Sequence, residues 1–457
     1  MTGTNEATAA SSRRSRSERL PRVLTVFGGV LLTLSCITPG SSLFILVPEL
    51  VQTQGTGVVL TLVLAAVISA GVALCYGELG TRFPIAGGEY SIVSRVLGRG
   101  AGWLTFVLSL GMIFVVPPVI ALGTADYLAS VVELPVAVTG AAVMLVATLI
   151  ALLDVRSNAL VTGTFLAVEV LAAALVAGFG FAHAHRPVSA LLTPTIPDAT
   201  GRYSPFTWGV LLTGLAVGMF TFQGFSSAVY LSEELKQPER SVVRTVMWSL
   251  VASVLIIGVP TVAVVLGTGS DAELAGADFI AIVDSWGGPV LSTFVGLSVA
   301  AAILNAVIVM VLQNARVLYA SARDQAWPEP VNRVMTKLHP RWKSPWAATL
   351  VAGLPAAALA GLVSSETLVG VTGVIVAGLY LAIAVAALRA RRTPSTAGWR
   401  MPLWPVPAVL TISAIVLALA NQAPADLAIT AGALALAATY YAAHLRRHPN
   451  QWSIVGN

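Results

Sequence analysis

The sequence predicts an all-α polytopic membrane protein of twelve transmembrane helices, arranged as a five-plus-five inverted repeat whose first and sixth helices are broken. Three observations carry this expectation. The composition is 56% hydrophobic against 10% charged, with mean hydropathy +0.84, far from the balance of a water-soluble domain. The basic residues are distributed with a marked asymmetry along the chain, and two apolar segments carry matched runs of helix-breaking residues.

A helix needs about 20 apolar residues to cross the hydrocarbon core. Segments of that kind occupy residues 24–50, 56–83, 100–128, 134–153, 157–182 and 206–235 in the first half. The second half supplies 242–268, 288–320, 346–363, 366–388, 404–421 and 426–444. With the N-terminus placed in the cytoplasm, 26 Lys and Arg residues can be assigned to sides, and only Arg186 and Arg202 fall outside. One missed crossing would invert every later loop, so the asymmetry supports the segment count and places both termini in the cytoplasm at the cell membrane. The net charge of +5 then reflects topology, not nucleic-acid binding.

Residues 1–23 read as a disordered cytoplasmic tail, 24–390 as the transport core of helices 1–10, 391–445 as helices 11 and 12, and 446–457 as a second cytoplasmic tail. Cys36 and Cys75 fall inside membrane segments and read as small buried hydrophobes without a disulfide. Tryptophans near helix ends, among them Trp103, Trp208, Trp286, Trp346 and Trp404, suit interfacial anchoring.

The first segment contains Thr38, Pro39, Gly40, Ser41 and Ser42 in succession at its middle. Proline lacks the donor that the helix ladder needs, glycine is entropically costly, and hydroxyls compete for backbone groups. Segment six repeats the pattern with Gln223, Gly224, Ser226 and Ser227. Each break precedes the end of the next helix, near Pro84 and Thr268, by about 44 residues, which is the matched spacing of an inverted repeat. Unpaired backbone groups facing lipid cost several kcal/mol each, so such breaks must line a protected cavity. Amides at a half-helix N-terminus hold a carboxylate and free carbonyls hold an ammonium, and an α-amino acid carries both. The alternative is a kinked helix whose hydroxyls bond back to its own carbonyls.

Glu169 lies deep in segment five among apolar neighbours, where ionisable groups are costly and mark an ion or proton path. A structural hydrogen bond to a neighbouring helix is its alternative role. Asn305 in segment eight is either a pocket residue or interhelical glue, and Asp126 reads as an interface residue. Segment eight offers no adjacent hydroxyl pair for a sodium cage, which favours a proton as coupling ion. Segment three is apolar through "LGMIFVVPPVIALG", which favours a neutral amino acid over a polyamine. The five histidines lie in loops or at the C-terminal end without metal-like spacing, so an intramembrane hydrolase is not expected, nor any metal or cofactor.

The stretch "YGELGTRFPIAGGEYSIVSRVLG" (76–98), then "EELKQPERSV" (233–242) and "NARVLYASARDQAWP" (314–328), resembles the amino acid-polyamine-organocation permeases over about residues 24–390. The resemblance implies alternating access to a central amino-acid-like ligand at broken helices 1 and 6. It places Thr38, Gly40, Ser41, Ser42, Gln223, Gly224 and Ser226 at the substrate, with Phe220, or Phe225 in reserve, as the aromatic gate. It also puts Glu169 at the point of helix 5 where proton-coupled relatives carry a lysine. Glycine-rich helix-1 breaks are common there, and Pro39 departs from them by removing one amide donor. The charged residues Glu78, Arg82, Glu89, Arg95, Glu233, Glu234, Arg240, Arg316, Arg323 and Asp324 are candidates for ion pairs closing the inner mouth. The function expected is secondary active transport of an amino acid or related amine. An exchanger or exporter, and a non-transporting receptor on the same scaffold, are the alternatives.

Overall fold

The computed structural model describes residues 22, 24–84, 87–128, 132–153, 155–197, 202–232, 234–342, 344–363, 365–392, 399–448 and 451–452. Glu233 and the side chain of Asp126 lie outside the described residues. The chain is mostly helical. Among the described residues, seven stretches are long and apolar enough to cross a membrane: Val26–Arg82, Arg99–Leu122, Leu160–Ala182, Pro238–Gly267, Phe279–Arg323, Val371–Ala390 and Pro424–Leu445. Four shorter apolar helices, Val136–Ala151, Trp208–Thr221, Trp346–Leu362 and Val406–Ala420, lie between them. These make a multi-pass membrane protein.

The helices that position the site are α1 (Val26–Ile37), α2 (Val47–Gln54), α3 (Val58–Arg82), α4 (Gly88–Leu97), α5 (Arg99–Leu122), α6 (Val136–Ala151) and α7 (Val155–Ala182). They continue with α8 (Trp208–Thr221), α9 (Ser227–Tyr230), α10 (Pro238–Gly267), α11 (Phe279–Arg323), α12 (Trp346–Leu362), α13 (Ser365–Ala390), α14 (Val406–Ala420) and α15 (Pro424–Tyr440). Helix α3 packs along α10, α7 along α10 and α11, α5 along α13, and α6 along α12, while α14 and α15 lie against α13. Leu149, Leu160, Leu255 and Leu436 point outward, as side chains in contact with lipid tails do. The centre is built from α1, α11 and α13, where Ile303, Val307, Val311, Ile383 and Ala387 are fully buried.

Three features depart from the sequence-based expectation. A two-stranded antiparallel hairpin, β1 (Thr195–Pro197) with β2 (Tyr203–Pro205), pairs Ile196 with Ser204 in the connection between α7 and α8. It is docked by Thr56, whose hydroxyl accepts the Thr195 N–H at 2.9 Å. Short β-branched and aromatic runs pair in this way once outside the hydrocarbon region, where a helix is no longer compulsory. Secondly, the C-terminal segment is no bare tail at its described end. Trp452 is completely buried against Tyr90, Trp103 and Phe106, donates through Nε1 to the Arg99 carbonyl at 3.3 Å, and is flanked by Gln451, whose carbonyl accepts from Arg99 at 2.7 Å. Thirdly, Trp103 is an interior residue, and its indole N–H donates to the Ala437 carbonyl at 3.0 Å. Cys36 and Cys75 are both buried and free, in agreement with the sequence.

Candidate functional site

The interruption in the first segment is narrower than the five-residue run in the sequence. Helix α1 stops at Ile37 because Thr38 adopts the left-handed conformation (φ 51°, ψ 68°) and Pro39 has no N–H to extend the ladder. Pro39 then acts as a starter, since its fixed φ suits the first position of a helix. Residues Pro39–Ser41 resume helical geometry and continue into a π-helical turn, Ser42–Leu46, ahead of α2. The Ser42 N–H is therefore spent on the Thr38 carbonyl at 3.0 Å. Only one residue is non-helical, yet the restart creates a new helix N-terminus in the middle of the protein.

The second interruption is longer. Helix α8 ends at Thr221, and Phe222 to Ser226 form successive turns before α9 begins. Gly224 sits at φ +120°, a conformation that side chains rarely adopt. A Cβ built on it would stand 2.8 Å from the Ile37 Cα and 3.1 Å from the Cys36 carbonyl oxygen. The two breaks thus meet backbone to backbone, and glycine is the only residue that permits the approach.

Glu169 reaches this junction from α7. Its Oε1 accepts the Gly40 N–H, so the carboxyl caps the restarted half-helix, while Oε2 is buried without a hydrogen-bond partner. A Cβ on Gly40 would lie 2.6 Å from the Glu169 Cγ, so this glycine too marks a close approach.

Three adjoining cavities lie at the junction. The middle one is lined by Cys36, Thr38, Ser41, Ser42, Phe220 and Gln223 with apolar Ile45, Ile120 and Met310. A larger one, enclosing about 610 Å³ with its mouth included, shares Cys36, Gln223 and Met310 with it and extends to Glu89, Tyr230, Asn314 and Val317. The third, larger still at about 800 Å³ with its mouth included, meets the middle one at Leu46 and Phe220 and the 610 Å³ one at Val376 and Tyr380, and it continues past Glu49 to Gln422. Phe220 therefore stands between the middle cavity and the third, and Gln223 between the middle cavity and the larger one.

Of the residues singled out from sequence, Thr38, Ser41, Ser42, Phe220 and Gln223 line the middle cavity, and Gln223, Gly224 and Ser226 line the larger one. Gly40 is turned to Glu169 instead. Phe225 lines none of the three: it is fully buried and packs on Tyr76 and Tyr380, with ring centroids 6.0 Å from each. Asn305 is fully buried away from these cavities, and neither its Oδ1 nor its Nδ2 finds a partner. Sequence reasoning missed Cys36, whose thiol donates to Gln313 Oε1 at 3.0 Å in the cavity wall. It also missed Tyr76 and Tyr380, and it placed Glu89 among ion-pairing loop charges, whereas the carboxyl faces the cavity and accepts from the Tyr76 hydroxyl at 2.9 Å.

The basic loops converge at the Glu89 end. Arg316 and Glu234 form a buried pair at 2.8 Å, joining α11 to the chain after α9. Glu78 takes Arg391, a residue absent from the expected set, through Nε at 2.8 Å and Nη2 at 3.0 Å, and it also accepts the Met401 N–H at 3.0 Å. The Glu78 contact holds the Arg391 guanidinium above its ordinary range. Asp324 accepts from the Tyr90 hydroxyl at 2.9 Å. Breaking one partner of a buried pair costs about 3–5 kcal/mol, so the Glu234–Arg316 pair ties these helix ends more firmly than an exposed loop pair would.

The profile of a family described as amino acid permease matches residues 24–443. The chain is 24% identical over 433 residues to a methylthioribose transporter of Bacillus subtilis (strain 168), covering 88% of each chain. It is 27% identical over 379 residues to the branched-chain amino acid permease BcaP of Lactococcus lactis subsp. cremoris, covering 78% of this chain and 80% of that one. Cationic amino acid transporter 4 of Homo sapiens is 27% identical over 391 residues, 79% of this chain and 59% of the human protein.

Proposed function

This chain belongs to the amino acid permease family, and on that basis we propose that it is a secondary active transporter that carries a neutral amino acid through the three adjoining cavities by alternating access. The family and the relatives are permeases and transporters, not enzymes. The observation that carries the proposal is the meeting of the two helix interruptions, Gly224 against Ile37, beside a cavity walled by hydroxyls on one side and apolar side chains on the other. Thr38, Ser41, Ser42 and Gln223 supply the polar side for the α-amino and α-carboxyl groups, with Gly224 and Ser226 continuing it toward the larger cavity. Ile45, Ile120 and Met310 receive the side chain. No Asp, Glu, Lys or Arg stands among the described residues lining this middle cavity, which favours a ligand without side-chain charge.

In this reading the α1–α2 and α8–α9 interruptions belong to a five-plus-five inverted repeat within twelve crossings. Phe220 closes the outer side and the Glu234–Arg316 and Glu78–Arg391 pairs tie the inner side. The relatives named for a branched-chain amino acid and for methylthioribose agree with a small amphiphilic cargo. A proton drives the cycle through Glu169, whose carboxyl caps the restarted helix beside the substrate cavity.

The direct test is uptake into proteoliposomes by a panel of labelled neutral, cationic and anionic amino acids, with and without a pH gradient. Neutral substrates are expected to accumulate above their equal-pH level only when the gradient is imposed. Accumulation restricted to cationic substrates would reject the neutral preference, and failure of every substrate to accumulate would reject transport. Orientation is tested separately on two exposed residues. Ser189→Cys is expected to react with an impermeant maleimide in sealed cells and Lys337→Cys only after permeabilisation, against a background in which Cys36 and Cys75 are buried. The reverse pattern would invert the membrane orientation.

A further inference from the structure

The Glu89 carboxyl is 2% exposed, and it sits in the connection between two apolar stretches, at the first turn of α4. Its Oε1 takes the Tyr76 hydroxyl, but its Oε2 is buried and makes no hydrogen bond. An ionised carboxylate in such a place needs a cation or a full set of donors, because each unpaired charge in a low-dielectric interior is costly. No cation is supplied among the described residues, and Oε2 itself has no donor. The nearby charged groups are committed elsewhere: Glu78 to Arg391, Glu234 to Arg316, and Asp324 to Tyr90, with Arg95 held in the field of Asp324.

The titratable groups that feel the Glu89 charge are Tyr76 from α3, Tyr380 from α13 and Cys36 from α1, none of them a cation. Tyr230 from α9 lies directly over Gly88 on the other side. Tyr76, Phe225 and Tyr380 form a closed triangle of rings with centroids 6.0–6.1 Å apart, and Tyr76 holds one corner of it against the carboxyl. Oε2 is too enclosed to meet a water-sized group, so an ammonium has no access to it. A proton needs no such room.

We propose that Glu89 is a proton-binding site at the basic-loop end of the central cavity, carrying its proton while the Tyr76, Phe225 and Tyr380 rings enclose it and releasing that proton to solvent when this end opens. The step is a simple dissociation, carboxyl to carboxylate with the proton passing to water, and Tyr76 remains the donor to the anion. Burial pushes this carboxyl up to about 7, while its own backbone amide and the hydroxyls of Tyr76 and Ser226 pull in the opposite direction. The site therefore changes charge near neutrality, and it does so at a residue distinct from Glu169. The consequence for transport rests on the permease reading above, but the proton site itself does not.

For that reason the experiment requires no substrate. Purified full-length protein is titrated from pH 4.5 to 9 while the infrared band of the protonated carboxyl is followed, and thermal unfolding is measured across the same range. Wild type is expected to lose a carboxyl band with a midpoint near 7. Glu89→Gln should lack that step and Glu169→Gln should keep it. Tyr76→Phe removes a donor to the anion and should shift the midpoint upward. The stability linkage has a definite sign: the folded carboxyl binds its proton more tightly than the ordinary value of 4.5, so its stabilisation is complete below that value and is lost as pH rises through about 7. The unfolding temperature of wild type should fall over that window by an amount that Glu89→Gln does not show. A step near 7 that persists in Glu89→Gln, or a midpoint unmoved in Tyr76→Phe, overturns the proposal. The Tyr76→Phe arm decides the matter alone if Glu89→Gln does not fold.

Discussion

Gly224→Ala is expected to insert into the membrane and purify as a folded protein, yet to lose substrate uptake by more than about tenfold. Two independent effects act on one methyl group. The backbone at φ +120° is open to glycine and strained for alanine, which costs of order 1–3 kcal/mol. The new Cβ would also stand 2.8 Å from the Ile37 Cα and 2.9 Å from its nitrogen, and those neighbours are backbone atoms that cannot rotate away. The two interruptions must then separate, which opens the junction beside the proposed substrate cavity, and each ~1.4 kcal/mol of lost binding is a tenfold loss of affinity. Gly40→Ala supplies the comparison. Its Cβ would meet the Glu169 Cγ at 2.6 Å, a side-chain atom that can swing aside at the expense of the cap, so the loss should be smaller than at Gly224. Equal uptake by Gly224→Ala and wild type, at equal amounts of inserted protein, would remove the junction from the substrate path.

The ranking of these two glycines was not available from the sequence, although both breaks were. Thr38-Pro39-Gly40 and Gln223-Gly224 stand out because no lipid-facing helix tolerates such runs, and the structure interrupts the backbone at both. What a linear pattern cannot convey is how far a break extends. Pro39 reads equally as the end of the helix before it and as the start of the helix after it, and it serves as both, which restores helical geometry to Ser41 and Ser42. Depth was legible for Glu169, because a carboxyl among apolar neighbours has no bland location. Its partner, the Gly40 N–H, is 129 residues away and is set by packing alone. Arg391, 313 residues from its partner Glu78, was missed for the same reason. Glu89 was misplaced in a more instructive way. Its motif reads as a charged loop, yet the short helix α4 folds the carboxyl back beneath Tyr76 and into the cavity wall. Phe220 was preferred to Phe225, five residues on, as the gate, and the turn at Gly224 sends the first to the cavities and the second to the Tyr76 and Tyr380 rings.

Glu169→Gln is expected to fold with wild-type thermal stability and to lose pH-gradient-driven uptake down to its equal-pH level. The carboxyl does two separable things at the junction. Oε1 accepts the Gly40 N–H and so caps the restarted half-helix, a role that a glutamine carbonyl oxygen performs as well. Oε2 is buried and unpartnered, and in the proposed cycle it carries and gives up the coupling proton, a role that an amide cannot perform. Substrate exchange at equal pH should therefore persist in Glu169→Gln, since the cap and the cavity hydroxyls are intact. Glu169→Ala is the control for structure: it leaves the Gly40 N–H without an acceptor, which costs about 1–3 kcal/mol, and its unfolding temperature should fall accordingly. The pair of variants separates coupling from capping. The proton role fails if Glu169→Gln keeps wild-type accumulation under a pH gradient, or if replacing sodium by choline stops accumulation in wild type, because a sodium-driven cycle needs no protonatable group at this position.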